Sequence, residues 1–230
     1  MPNIVKNTTF LNPLDLLAPH SCRGCGRLGQ PLCDCCQNYI LQTHQNLCPF
    51  CKQKIEAAKC PKCHKLPAFY SVNSRTDLLD TLIHELKYNT VRSFDKPLAE
   101  ILDQTLPNFK TDVYIVPLPT IGKHVRERGL DHTNLIAKQL TKKRSNFHLS
   151  RVLIRTNNSV QVGANRESRI EQAKHAYEIN PKIKINPEAT YLLFDDVWTT
   201  GASMLAAKKK LQQAGAQKII ISVLAVSQTS

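Results

Sequence analysis

A pair of acids followed closely by hydroxyl residues is the feature of this sequence that most clearly could do chemistry. Residues 192–203 predict a buried strand ending in Asp195 and Asp196, then a Thr-Thr-Gly turn and a helix. Such a turn directs backbone N–H groups and nearby hydroxyls into one concavity at a helix N-terminus, which suits a phosphate. The hydroxyls belong to Thr199, Thr200 and Ser203, with Gly201 in the turn. The two carboxylates could accept hydrogen bonds from a ribose diol or orient the waters of Mg²⁺.

A second candidate segment, upstream, joins a Pro-Leu-Pro turn to a basic run. It comprises the turn residues Pro117, Leu118 and Pro119 and the cations Lys123, Arg126 and Arg128. A loop carrying these cations could close over a pyrophosphate and neutralise its charge. By spacing alone, a solvated basic turn stays an alternative.

All nine cysteines lie between positions 22 and 63, and eight of them form four C-x-x-C units. The units are Cys22/Cys25, Cys33/Cys36, Cys48/Cys51 and Cys60/Cys63, with Cys35 left over. Two such turns aim four thiolates at one point and complete a tetrahedral zinc site, so four units predict two sites. Sequential pairing needs only short loops, while crossed pairing stays open. Because a closed four-cysteine site leaves no position for water, we expect structural rather than catalytic zinc.

Composition and charge narrow the class of protein. Lys plus Arg number 31 against 18 Asp plus Glu, and this net charge of +13 favours an anionic partner. No apolar run approaches the roughly 20 residues that a membrane helix needs, which excludes a transmembrane span. The N-terminal residues lack the continuous apolar region of a secretory signal, and clustered Cys pairs are typical of metal sites in cytosolic chains. We therefore expect a cytoplasmic protein.

The elements that must position these residues alternate between helix and strand after Cys63. Helical spacing is predicted from 76–77 through Leu86, over 94–106, around 134–140 and over 202–214. Strands are predicted over 112–116, 152–154, 191–194 and 219–226. This alternation predicts an α/β fold with a mostly parallel sheet, whose ligands bind at the carboxyl ends of the strands. We predict a zinc-ribbon module over 1–66 and the sheet domain over 67–230.

The acid pair and its turn closely resemble the phosphoribosyl pyrophosphate (PRPP) motif of type I phosphoribosyltransferases, D-D-x-x-T-T-G-x-[ST]. In that family the acids contact the ribose hydroxyls and the Thr-Thr-Gly loop holds the 5-phosphate, with Mg²⁺ bound to PRPP. The resemblance carries these roles to Asp195, Asp196, Thr199, Thr200, Gly201 and Ser203. The segment over 117–129 resembles the pyrophosphate loop and flexible hood loop of the same fold.

Taken with the cysteine units, these motifs resemble the competence protein ComF group, also called ComFC and including GntX-like proteins. Further marks are Lys87 within Leu-Lys-Tyr, the Arg-Glu-Arg-Gly run ending at Gly129, and Gln161 with Arg169. The chain departs from the group at 130–132, where Leu-Asp-His replaces the usual Phe-Asn-Gln. The resemblance implies natural transformation, with handling of incoming single-stranded DNA and possible competence protein partners, and it places Lys87 with the pyrophosphate-loop residues.

The sequence leaves the reaction itself open. No side chain stands out as an acid or base, and the acceptor is unknown. A catalytically silent PRPP sensor that binds DNA and a base-salvage phosphoribosyltransferase are the alternatives. From 123 to 155 there are nine Lys or Arg against two acids, and Lys142, Lys143 and Arg144 are the candidate DNA contacts. Positive charge at a helix C-terminus explains this cluster equally well.

Overall fold

A computed structural model describes residues 20–56, 58–74, 77–156 and 176–227 of the chain. Gln161 and Arg169, two marks of the resemblance, lie outside these residues. The main body is a five-stranded, fully parallel sheet with helices on both faces. The predicted α/β class is therefore confirmed.

The sheet has the strand order β1-β7-β6-β2-β3. Its strands are β1 (Ala68–Ser74), β2 (Val113–Pro117), β3 (Phe147–Leu149), β6 (Thr190–Trp198) and β7 (Lys218–Val226). β6 lies at the centre, and its residues from Thr190 to Phe194 are buried on both faces. Such continuous burial is typical of parallel strands covered on two sides. β6 is longer than predicted, because it continues through Asp195 and Asp196 to Trp198 instead of ending at the acids.

The helices divide between the two faces of the sheet. They are α1 (Asp34–Gln42), α2 (Asp77–Tyr88), α3 (Asp95–Thr105), α4 (Gly122–Arg128), α5 (His132–Thr141) and α6 (Ala202–Gln213). The apolar sides of α2, α3 and α5 form one hydrophobic core with one face of the sheet. α6 packs on the other face, where Met204, Ala207 and Leu211 join a second core. β4 (Leu153–Arg155) and β5 (Tyr177–Ile179) form a separate two-stranded antiparallel sheet beside that second core.

The cysteine-rich residues straddle the outer edge of β1. Asn46 covers the edge, because its side-chain amide donates to the carbonyl of Phe69 (2.9 Å) and accepts from the N–H of Ser71 (2.9 Å). Asn73 of β1 donates back to the carbonyl of Thr43 (2.8 Å). An edge strand covered in this way offers no free hydrogen-bonding row to another chain.

The two halves of this region pack on opposite faces of the sheet. Cys22, Leu32 and Ile40 belong to the core shared with α2 and α3. Cys48, Ile55 and Cys60 belong to the core shared with α6. The division at residues 66 and 67 stays a prediction, and across it the two segments share both cores.

Candidate functional site

The turn after β6 forms a small cavity at the N-terminus of α6. Gly201 is the N-cap residue of α6 and has φ +75°, a left-handed conformation that favours glycine. The cavity measures about 60 Å³, a size that suits a small anion better than a nucleotide. The predicted residues that line it are Asp195, Thr199, Thr200, Gly201 and Ser203. The structure thus brings together five of the six residues of the predicted phosphate and ribose site.

Asp196, the sixth residue, lies in a buried ion cluster. Only 4% of Asp196 is exposed. Its Oδ2 accepts from Nζ of Lys87 at 2.7 Å and lies 3.0 Å from Nε2 of His132. Burial alone would raise the pKa of Asp196, but the positive charge of Lys87 and the hydrogen bond from His132 hold it well below its usual range. Asp196 is therefore an ionised anchor for two basic side chains.

Asp195 has a different environment from its neighbour. It borders the cavity, and burial together with the negative charge of Asp196 raises its pKa well above the usual value. On the same side of the sheet, the hydroxyl of Tyr177 accepts from Nη1 of Arg155 at 2.9 Å and is hydrogen-bonded to Ser203. A carboxylate with a raised pKa and few fixed partners can gain from a ligand hydroxyl or a bound cation.

The Pro-Leu-Pro turn is attached directly to the central strand. The N–H of Leu118 donates to the carbonyl of Phe194 (2.8 Å), just before the acid pair. Asp131, the N-cap of α5, accepts from the N–H of Asn134 (3.2 Å) and from the hydroxyl of Thr133 (2.8 Å). The hydroxyl of Thr133 also lies 3.4 Å from the carbonyl of Leu118, so the start of α5, and with it His132, is held against the Pro-Leu-Pro turn.

The basic segment predicted as a loop is the helix α4. Gly129 ends it in the left-handed conformation with φ +70°. Lys123 lies 3.7 Å from Glu127 of the same helix, and Arg126 is exposed. The guanidinium of Arg128 lies over the ring of Tyr88, 4.7 Å from its centroid. Lys87, adjacent to Tyr88, is the predicted pyrophosphate residue that contacts the acid pair.

The eight predicted metal ligands form two clusters, paired sequentially. One contains Cys22, Cys25, Cys33 and Cys36, the other Cys48, Cys51, Cys60 and Cys63, and the sulfurs of each lie within 4.8 Å of one another. The closest pairs are 3.4 Å (Cys51 and Cys60) and 3.5 Å (Cys48 and Cys63) apart. Zinc–sulfur bonds of about 2.3 Å in a tetrahedron require about 3.8 Å between sulfurs.

One thiol in each cluster has a lowered pKa, which favours the thiolate that zinc requires, while burial raises the pKa of Cys36 and Cys48. The N–H of Cys63 donates to the sulfur of Cys60 (3.5 Å), and such backbone donors lower the pKa of Cys60 to about 6. Burial opposes a similar effect at Cys22, but the N–H groups of Cys33, Cys25 and Gly24 still lower its pKa to about 6. Both clusters could hold structural zinc. Cys35 is exposed and lies outside both.

The candidate DNA contacts have protein partners of their own. Lys142 donates to Gln139 (3.1 Å), and Lys143 forms an ion pair with Glu100 (2.5 Å). Arg144 donates to the carboxylate of Asp103 (2.7 Å) and to carbonyls in and after the last turn of α3. Arg144 therefore satisfies carbonyls that a helix end leaves unpaired, while Lys142 and Lys143 lie at the surface.

A search of curated proteins found a relative that spans most of the chain. The match is to Competence protein F of Haemophilus influenzae, 24% identical over 201 residues, which covers 82% of this chain and 87% of that protein. The resemblance to the competence protein F group is confirmed. No protein-family model matches the chain.

Solved structures similar to this chain include two enzymes of nucleotide metabolism. One is adenine phosphoribosyl transferase from Trypanosoma brucei, with 12% identity, a TM-score of 0.39, and coverage of 84% of this chain and 79% of that one. The other is an allosteric regulatory enzyme of purine biosynthesis, with 14% identity, a TM-score of 0.36, and coverage of 56% of this chain and 25% of that one. Within the described ranges, no helix is long and apolar enough to cross a membrane.

Two residues of this chain play parts that the sequence analysis did not predict. His132 binds Asp196 although it stands where the chain departs from the group, and a histidine directly after a capping aspartate was the available signal. Trp198 occupies a variable position of the acid motif, yet it is 2% exposed and packs under Gly201. An apolar side chain this large at a strand end indicates a packing role.

Proposed function

We propose that this chain is a PRPP-binding, phosphoribosyltransferase-like protein that acts in natural transformation, in the cytoplasm. The observation that carries the proposal is the cavity between β6 and α6, which gathers three hydroxyl side chains, a left-handed glycine and Asp195 at a helix N-terminus. The N-terminus of a helix offers backbone N–H groups and a favourable dipole to a phosphate. The competence protein F relative supports the process.

Each part of the ligand has a proposed set of contacts. Thr199, Thr200 and Ser203 hold the 5-phosphate with the N–H groups of the turn. Asp195 accepts a hydrogen bond from a ribose hydroxyl, and Mg²⁺ bound to PRPP offsets its charge. When bound, Mg²⁺ supplies charge neutralisation to the pyrophosphate.

Lys87 and Asp196 act together in this scheme. The 2.7 Å ion pair fixes the ammonium of Lys87 at the carboxyl end of β6, where it can attract the pyrophosphate. Asp196 is already bonded to two basic groups, so its main role is to hold them rather than to bind ribose. The cations of α4 approach the pyrophosphate if α4 moves on binding, as the hood resemblance implies.

Zinc in both cysteine clusters is the second part of the proposal. The support is the fit of the sulfur separations to a tetrahedral, four-thiolate site, together with one thiol of lowered pKa in each cluster, Cys22 and Cys60. Because all four positions are protein sulfurs, the ion has no open position for a substrate. Its contribution is to fold the residues around it.

A calorimetric titration with PRPP tests the proposal. The zinc-loaded protein is titrated with and without Mg²⁺, beside Asp195→Asn and a matched control, Asp112→Asn, whose side chain is 65% exposed. We expect binding that needs Mg²⁺, is lost in Asp195→Asn and persists in Asp112→Asn. Absence of binding in the unmodified protein contradicts the proposal.

Pyrophosphate release then separates a transferase from a silent sensor. A transferase displaces pyrophosphate from the anomeric carbon of PRPP, so release should require an acceptor. Release with free purine or pyrimidine bases would identify base salvage. PRPP binding without release across single-stranded DNA, nucleosides and bases would favour the sensor.

Handling of single-stranded DNA is the remaining part of the proposal. The net charge of +13 and the competence protein F relative support it. Lys142 and Lys143 are the better candidates for phosphate contacts, because both lie at the surface while the guanidinium of Arg144 is bonded to the end of α3.

A further inference from the structure

Trp198 forms the floor of the phosphate turn. An added Cβ at Gly201 would lie 1.9 Å from Cζ2 of Trp198, so the indole fills the space directly beneath the turn. Two phenylalanines hold the indole edge-on: Phe69 at 5.6 Å between ring centroids and Phe50 at 5.8 Å. The position of the turn therefore depends on where these two rings hold Trp198.

Phe50 belongs to the second cysteine cluster. It lies between Cys48 and Cys51, which both contribute sulfurs to that cluster. The next residue, Lys52, donates from Nζ to the carbonyl of Ser227 (3.2 Å), and the N–H of Ser227 donates to the carbonyl of Trp198 (2.8 Å). Two sets of contacts, one between aromatic rings and one of hydrogen bonds, thus join the Cys48/Cys51 unit to Trp198 under the turn.

The first cysteine cluster contacts a different part of the fold. An added Cβ at Gly24 would meet Leu78 of α2 at 3.1 Å, and Arg23 forms an ion pair with Glu85 of α2 (2.5 Å). This cluster packs on the opposite face of the sheet from Trp198. The chain therefore contains an internal control for any effect of metal on the turn.

We propose that the second cysteine cluster positions the phosphate turn through Phe50 and Trp198, so that the position of Trp198, and with it PRPP affinity, depends on metal in that cluster. The proposal rests on the proposed PRPP function. With metal bound, two thiolates on either side of Phe50 fix the ring against the indole. Without metal, the Cys48/Cys51 unit is no longer held in place. The phosphate turn is then less preorganised, so binding a phosphate costs more conformational entropy.

Trp198 is the single tryptophan of the chain, so its fluorescence reports on this contact directly. The test compares Cys51→Ser in the second cluster with Cys25→Ser in the first, and Phe50→Ala with Phe109→Ala, a ring paired with Phe147 in the other core. Emission and PRPP affinity are measured for each. Phe50→Leu replaces Phe50→Ala in the test if Phe50→Ala does not fold. Phe50→Tyr, which keeps the ring, is expected to show the emission and PRPP affinity of the unmodified protein.

We expect Cys51→Ser and Phe50→Ala to shift the emission to longer wavelength and to weaken PRPP binding about tenfold. Phe109→Ala should change neither, and Cys25→Ser should leave the emission unchanged. Equal shifts in both cysteine variants, or unchanged emission and affinity in Phe50→Leu, would overturn the proposal. If the unmodified protein binds no PRPP, the proposed function fails, and the emission difference between the two cysteine variants still decides whether the second cluster positions Trp198.

Discussion

Replacing Gly201 by alanine tests the contact on which the phosphate turn depends. The added Cβ would lie 1.9 Å from Cζ2 and 2.4 Å from Cε2 of Trp198, well inside van der Waals contact. The indole is wedged between two rings and the sheet, so either the indole or the turn must move. Because the N–H groups and hydroxyls of the turn are aligned by its backbone, we expect PRPP binding to be lost.

The cost in stability can be worked from two contributions. Overpacking a filled core costs about 1–3 kcal/mol, and the left-handed φ of +75° adds roughly 1–2 kcal/mol for a residue with a Cβ. Gly129 has nearly the same backbone, with φ 70° and ψ 3°, and nothing lies within 4 Å of an added Cβ. Gly129→Ala should therefore show the backbone contribution alone.

The stabilities of Gly201→Ala and Gly129→Ala are compared by urea unfolding, and PRPP binding is measured by calorimetry. Gly201→Ala should lose roughly 2–5 kcal/mol of unfolding free energy, about 1–3 kcal/mol more than Gly129→Ala. Gly215→Ala, at the far end of α6 and also unobstructed, controls for PRPP binding and should retain it. Equal stability losses at Gly201 and Gly129, together with intact PRPP binding by Gly201→Ala, would refute the reasoning.

Three further predictions concern charge, metal and DNA. Because the raised pKa of Asp195 makes its ionised form unfavourable in the fold, Asp195→Asn should unfold at higher urea than the unmodified protein at pH 7. The difference should disappear below about pH 3, where Asp195 is protonated in both the folded and the unfolded protein; lower stability of Asp195→Asn at pH 7 would contradict this. Elemental analysis should find two zinc ions per chain, and Cys35→Ser should keep both; loss of an ion in Cys35→Ser would place that sulfur in a site. Lys142→Ala/Lys143→Ala should weaken single-stranded DNA binding and lower its logarithmic salt slope by about 1.4, measured by fluorescence anisotropy, and unchanged binding would move the DNA surface elsewhere.

The spacing of apolar residues predicted most of the helices and strands, because residues at that spacing share one face and are buried together. The helix Asp77–Tyr88 buries four of the five apolar residues that predicted it, and the strands Val113–Pro117 and Lys218–Val226 lie within one residue of their predicted bounds. The sequence left the pairing of the four C-x-x-C units open. The structure has sequential clusters, the arrangement that needs only short loops between neighbouring units.

The acid pair shows what the sequence could not predict. Two adjacent carboxylates suggested one shared role, but the partners of Asp196 come from α2 and α5, far away along the chain. Their approach depends on how the helices pack on the sheet. Arg144 likewise finds its partners at the end of α3, and a run of three basic residues in the sequence does not indicate that contact.

The basic segment over 122–128 differs from the prediction for a local reason. The resemblance favoured a flexible loop, whereas Lys, Arg and Glu are good helix formers and Gly129 supplies a left-handed helix end. The packing of the two cysteine clusters on opposite faces of the sheet could also not be predicted from the sequence, because the spacing of C-x-x-C units determines only the local turn.

A crystal structure of the zinc-loaded protein with PRPP and Mg²⁺ tests the central claim most directly. We predict electron density for the 5-phosphate in the cavity lined by Thr199, Thr200 and Ser203, with a ribose hydroxyl on Asp195 and the Lys87–Asp196 pair beside the pyrophosphate. Density for PRPP elsewhere on the protein, or an empty turn under conditions where calorimetry shows binding, would contradict the account.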